Sequence, residues 1–275
     1  MRLLPPLSPR GKGCRRTPPP IKKPTCLSSF KHAQYHLCTH SLVHYFTNRS
    51  LNLKTIAVIS QKGGSGKTTI ALHLAVASAL ANRNTAIIDL DPQASAAKWA
   101  DRRPADLPVV LSAHASRLAH EMTRVADTGG ELLFLDTAPH SDSAALEAAK
   151  ASDLVLIPCR PAILDMEAIT NTLDLVRTTK TPVFVVLNAV AAQGQEAQEA
   201  AEAIAALNVE VSPVRLVNRV AYARALITGQ TAQEFEPEGK AARDIEDLHT
   251  FICAQLNKIT SEGDQSYDQQ IRQRA

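Results

Sequence analysis

The stretch Gln61-Lys62-Gly63-Gly64-Ser65-Gly66-Lys67-Thr68-Thr69 sets three glycines among two lysines and three hydroxyl residues. Such a run can grip a polyphosphate. Glycines let the backbone close around phosphate oxygens with its N–H groups aimed inward, and a helix starting there adds partial positive charge. Gly63, Gly64, Ser65, Gly66 and Thr69 would form the cradle, Lys67 would reach the β- and γ-phosphates, and the Thr68 hydroxyl would ligate Mg²⁺. The usual pattern, G-x-x-x-x-G-K-[ST], wants glycine at position 61. This chain has Gln61 there, with a second lysine, Lys62, beside it. Carboxylates follow at two later points. Asp89 and Asp91 close the apolar run 85–88, and on a strand residues two apart face the same way. Two solvated carboxylates at a strand end are the plainer alternative. Asp136 closes the apolar residues 132–135, a pattern in which the carboxylate holds Mg²⁺ directly or through water.

These groups need rigid elements to hold them, and the patterning supplies candidates. Residues 55–60 read as a buried strand and 68–81 as a helix of small residues, stopped by the polar break Asn82-Arg83-Asn84. Further strands are expected near 85–90, 109–111, 132–135, 154–158 and 183–187. Helices are expected over 116–127, 143–151, 193–206 and 244–259, the last with apolar residues at a 3–4 spacing. Strands alternating with helices predict an α/β fold: a doubly wound, mostly parallel sheet with flanking helices. In such sheets ligands sit at the carboxyl ends of the strands, where every chemical motif above lies.

The loop K-G-G-S-G-K-T-T, followed by D-L-D-P-Q, L-L-F-L-D-T-A-P and Ile157-Pro158 with Pro161 and Asp165, resembles the ParA/MinD group of deviant Walker A P-loop ATPases over residues 54–258. The nearest form in that group is the small ParA-type partition protein without a helix-turn-helix domain. The resemblance implies ATP and Mg²⁺ as cofactors and an ATP-dependent homodimer, with Lys62 touching the nucleotide of the partner subunit. It further implies that Asp91 places the attacking water, that Asp89 supports the Mg²⁺ and the loop network, and that Asn188 hydrogen-bonds adenine. The residues from Ile157 to Asp165 would lie in the dimer face, and a short helix would follow over 95–101. Arg215, Arg219 and Arg224 match a region whose arginines contact DNA phosphates without reading sequence. Salt-bridging with acidic neighbours is the alternative for these arginines. The family further implies slow turnover stimulated by a centromere-binding partner, and a cytoplasmic protein that associates with the nucleoid when ATP is bound. A MinD-like regulator or another cargo-positioning ATPase, acting through protein partners rather than DNA, is the second reading.

Composition narrows the classes further. The chain has 275 residues and a net charge of +3 that hides a sharp asymmetry. Residues 1–54 carry +10 with no acidic residue, and the remainder carries −7. Seven of the 16 prolines precede Thr25, so 1–53 reads as a basic, disordered extension ahead of a domain at 54–260. It could be a nucleic-acid arm, a transit peptide or translated sequence upstream of a true start near Leu51 or Leu53, and its lack of periodicity favours the third. His32, His36, His40 and His44, with Cys38 among them, could hold a metal only on a folded helix. Five cysteines without C-x-x-C spacing fit a reducing compartment, and Cys159 and Cys253 read as packing residues. Residues 261–275 form a polar tail, expected to fray and lacking the apolar face of a membrane helix.

Overall fold

The computed structural model describes residues 53–274, with side chains through Ser261. The basic extension up to residue 52 and the histidine run within it lie outside the described residues. Seven strands, β1 (Lys54–Val58), β2 (Thr85–Asp89), β3 (Val109–Ser112), β4 (Leu132–Asp136), β5 (Leu154–Cys159), β6 (Val183–Leu187) and β7 (Glu210–Val211), form one sheet. Its order is β3-β2-β4-β1-β5-β6-β7, and every pairing is parallel. Nine α-helices are described: α1 (Lys67–Leu80), α2 (Ser95–Ala100), α3 (Leu118–Asp127), α4 (Asp142–Lys150), α5 (Ile163–Arg177), α6 (Glu196–Ala205), α7 (Val220–Ile227), α8 (Ala232–Phe235) and α9 (Lys240–Arg274).

Burial on both faces explains why the strands read as continuous apolar runs rather than alternating ones. Ile56, Val58, Ile87, Phe134, Leu156 and Val186 point to one face, where they pack with α1 and with Ile245, Leu248, Ile252 and Leu256 of α9. Ala57, Ile88, Leu133, Leu135, Val155 and Val185 point to the other, against α3, α4, α5 and α6. Each fully buried aliphatic side chain contributes roughly 1.5–3 kcal/mol, so the four from α9 are a major part of what fixes that helix. Helix α1 is apolar nearly all round because it lies between the sheet and α9.

Strand β1 lies between β4 and β5, so the chain winds outward on one side of it through β2 and β3, and on the other through β5 to β7. The loop leaving β1 therefore opens at the switch point of the sheet, where a crevice forms between diverging connections. Asn82, at φ 60°, ends α1 in the left-handed conformation that asparagine tolerates, as the polar break implied.

Helices α5 and α7 and the two-residue strand β7 were not visible as periodic patterns. In α5 the buried stripe includes Asp165 and Thr172, while Ile163 and Leu164 are exposed, which scrambles the 3.6-residue signal. The final helix starts at Lys240, three residues after Pro237, and its backbone continues past Ile259 to Arg274. Thr231 and Glu234 form a capping box that starts α8. Among the described residues, no helix is long and apolar enough to cross a membrane.

Candidate nucleotide site

The loop between β1 and α1 turns on two glycines in the left-handed region, Gly64 at φ 72° and Gly66 at φ 101°. Gly66 also caps α1, and a Cβ there would lie 2.0 Å from Asn188 Nδ2. Only glycine meets both demands. The first turn of α1 carries no acidic side chain, so its N–H groups and positive dipole end are left for an anion.

Lys67 is buried, and its ammonium donates to the Lys62 carbonyl at 3.1 Å, curling the side chain back over the loop. Burial lowers its pKa, against the opposing pull of the Asp136 and Asp91 carboxylates. Asp136, at the end of β4, is fully buried, and neither carboxylate oxygen receives a hydrogen bond of normal geometry, although the Thr68 hydroxyl is close enough to favour the charged form. Burial pushes its pKa up to about 7, with Asp89 and Asp91 adding like-charge repulsion. A buried carboxylate with both oxygens unpartnered, beside a threonine hydroxyl, suits a hard divalent cation with oxygen ligands.

Asp89 and Asp91 take different places. Asp89 is buried, and its Oδ1 accepts from the Asp91 N–H at 3.0 Å. Its Oδ2 accepts from the N–H groups of Ala96 at 2.9 Å and Ala97 at 3.2 Å, at the start of α2. Burial raises its pKa while these three backbone donors oppose the shift. Its oxygens are thus committed to the turn and the helix start, and Asp136 is the carboxylate free to take a cation. Asp91 stands half-exposed on that turn and accepts from the Gln93 N–H at 2.9 Å.

Asn188, just past β6, donates from Nδ2 to the Ser65 carbonyl at 2.7 Å and so packs on the loop itself. Its own N–H is held by the Cys159 carbonyl at 2.8 Å. Asp165 of the Ile157–Asp165 stretch is turned inward to an ion pair with Arg160 at 3.0 Å, leaving Ile163 (78% exposed) and Leu164 (64% exposed) as its outward face. Cys159 is buried in the core with its thiol pushed up to about 12, as a packing residue requires.

The three arginines do not form one free patch. Arg219 grips Asp244 with Nε at 2.8 Å and Nη2 at 3.4 Å, the salt-bridged alternative raised above, and that pair raises its pKa. Arg215 donates to Gln198 Oε1 at 2.6 Å. Arg224 lies exposed on α7 with no ion pair among the described residues, flanked by the exposed Val220 and Ile227. Their stretch is zipped to the chain on either side of Asn188 by backbone bonds from Leu216 to Leu187 and from Asn218 to Val190.

Sequence reasoning missed the supports of the site. The Gln61 N–H donates to Thr172 Oγ1 at 3.2 Å, and its Nε2 to Asp142 Oδ1 at 2.6 Å. Thr137 donates to the Val58 carbonyl at 2.9 Å, stapling β4 to β1 beneath the loop. Trp99 donates to the Gln230 carbonyl at 3.2 Å, under an Arg103 that pairs with Glu234 at 2.9 Å. All of these are long-range contacts, with no local pattern to reveal them.

Comparison with known proteins agrees with this geometry. The family model CobQ/CobB/MinD/ParA nucleotide binding domain matches residues 56–232. The maintenance of carboxysome distribution protein A of Gloeobacter kilaueensis is 32% identical over 209 residues, covering 74% of this chain and 94% of that protein. Protein ParA of Rhizobium radiobacter is 25% identical over 220 residues, covering 76% of this chain and 98% of that protein. Among solved structures, the septum site-determining protein MinD of Pyrococcus horikoshii with Mg-ADP shares the fold at a TM-score of 0.59 and 16% identity, over 72% of this chain and 94% of that one. Orphaned Asp136 beside Thr68, Lys67 over a glycine loop and the matching family model lead to one statement: the chain belongs to the CobQ/CobB/MinD/ParA family of nucleotide-binding domains, ATPases that bind ATP with Mg²⁺.

Proposed function

We propose that the chain is a Mg²⁺-dependent ATP hydrolase that works as an ATP-switched homodimer, binds non-specific DNA in its ATP state and uses that DNA to distribute a cargo. The observation that carries the reading is the pair of lysines in one loop. Lys67 is folded back onto its own loop, and Lys62 is left with its main chain fixed and its side chain half-exposed. In this reading one lysine serves the nucleotide in cis and the other serves it across a subunit interface.

Each group then has a task. The loop N–H groups and the start of α1 bind the phosphates, and Lys67 neutralises charge on them. Thr68 and Asp136 hold the metal, which when bound supplies further charge neutralisation on the β- and γ-phosphates. Asp91 orients the attacking water on a turn that Asp89 fixes through the Asp91 N–H. Asn188 braces the loop and hydrogen-bonds the adenine ring. Positioning and charge neutralisation are most of what phosphoryl transfer to water requires. Exposed Ile163 and Leu164 support a self-association face at the same end of the sheet. Arg224 is the arginine to meet DNA phosphates, while Arg215 and Arg219 must first release Gln198 and Asp244.

The 32% relative, named for carboxysome distribution, supports a protein assembly as the cargo, brought by a partner that stimulates hydrolysis. A second reading, partition of a replicon through a centromere-binding partner, is favoured by the relative named ParA. Both place the protein in the cytoplasm, on the nucleoid when ATP is bound. Co-sedimentation with duplex DNA, with ATP, ADP or no nucleotide and at two salt concentrations, tests the common core. Retention only with ATP, lost as salt rises, is expected. Retention independent of nucleotide, or none in any state, would remove the DNA matrix from the reading.

A further inference from the structure

We propose that Gln61, Asp142 and Thr172 form a tether that aims Lys62 out of its own phosphate loop, making all three positioning residues for hydrolysis across the dimer. The inference rests on the ATP-switched dimer proposed above.

Position 61 is where the usual phosphate-loop pattern has glycine. Glycine there has no side chain to reach anything. The Gln61 side chain reaches α4, donating from Nε2 to Asp142 Oδ1 at 2.6 Å, while its backbone N–H, which a glycine would share, donates to Thr172 Oγ1 of α5 at 3.2 Å. Asp142 begins α4, where a carboxylate is favoured by the helix dipole, and an amide bonded to a carboxylate is stronger than one between neutral groups. Thr172 is buried in α5, and its hydroxyl donates to the Ala168 carbonyl at 3.2 Å, which turns its lone pair toward Gln61. The next residue is Lys62. Its N–H donates to Ser60 Oγ at 3.3 Å, and its carbonyl accepts from Lys67 Nζ at 3.1 Å. The backbone on both sides of Lys62 is therefore clamped, and only its side chain is left free to project. The departure from glycine at 61 and the extra lysine at 62 become one device: the first fixes the direction of the second.

The test uses the full chain, with Asp142→Ala and Gln61→Gly to cut the tether and Asp142→Asn to keep an acceptor for the Gln61 amide. Asp142 is exposed, so these variants should fold, and far-UV circular dichroism checks that they do. Binding of a fluorescent ATP analogue to the separate subunit should stay within about 3-fold of the parent. ATP turnover should fall roughly 10- to 100-fold in Asp142→Ala and Gln61→Gly, the cost of losing a charge-assisted hydrogen bond that positions a reacting group, and Asp142→Asn should keep most of it. ATP-dependent self-association, followed by light scattering in the same samples, should fall with turnover. Hydrogen exchange at the Gln61 amide should quicken in Asp142→Ala. Unchanged exchange would overturn the tether whatever the activity. So would turnover within 2-fold of the parent, or an equal loss of nucleotide binding, which marks a merely structural role. If the parent protein itself hydrolyses no ATP, the proposed function fails, and self-association and exchange still decide the tether.

Discussion

Replacing Gly66 with alanine tests the site where two structural demands meet. The backbone at 66 lies at φ 101°, which costs an L-residue about 1–2 kcal/mol relative to glycine. The added Cβ would also lie 2.0 Å from Asn188 Nδ2 and 3.2 Å from its Cγ, so Asn188 must move and give up its 2.7 Å bond to the Ser65 carbonyl. That bond contributes about 1 kcal/mol, and crowding at a packed contact adds roughly 1 kcal/mol more. Gly66→Ala is therefore expected to lose roughly 3–4 kcal/mol. That loss is survivable for a domain whose stability is on the order of 5–15 kcal/mol, but severe for a loop that must hold phosphate. Urea unfolding measures it, and the same substitution in an Asn188→Ala background separates the causes. With the asparagine gone only the backbone cost is left, so the penalty should shrink to about 1–2 kcal/mol. Equal penalties in the two backgrounds, or a loss below about 0.5 kcal/mol in the first, would refute the reasoning, since the packing of Asn188 on Gly66 would then be immaterial.

Other expectations follow from the same geometry. Asp136→Asn removes a buried charge whose two oxygens are unpartnered, so without nucleotide or metal it should stabilise the fold at pH 8 in urea unfolding, while abolishing the extra stability that Mg²⁺ adds to bound ATP. His73 is buried against Tyr222 and its pKa is pushed down to about 4 by burial, with its Nδ1 bonded to the Thr69 carbonyl at 2.7 Å. A depressed histidine pKa leaves stability intact above its unfolded value of 6.5 and removes it as pH falls toward 4, by about 2 kcal/mol on going from pH 7.5 to pH 5. His73→Asn, which does not titrate, should flatten that part of the profile, and an unchanged slope would place the titration elsewhere. Arg224→Glu should weaken ATP-dependent DNA retention at low salt without lowering the melting temperature. Arg219→Glu should lower both, because it sets two carboxylates against each other at Asp244.

Sequence alone determined the fold class and the chemical centre. Apolar runs ending in Asp89, Asp136 and Asn188, and a glycine loop between a strand and a helix, depend on local patterning, and local patterning survives in one dimension. The glycine loop, the carboxylate that closes β4 and the docking stripe of α9 were legible for the same reason. Only the tertiary structure decided the division of labour among the acids. Asp89 and Asp91 look alike in sequence, yet one is spent on the N–H groups of α2 and the other stands half-exposed at the turn, accepting from the Gln93 N–H. It also decided that Arg219 belongs to Asp244, 25 residues away, and that Gln61 belongs to Asp142 and Thr172, 81 and 111 residues away. Hydrogen bonds and ion pairs are made between whatever groups folding brings within about 3 Å, and separation along the chain carries no record of that distance.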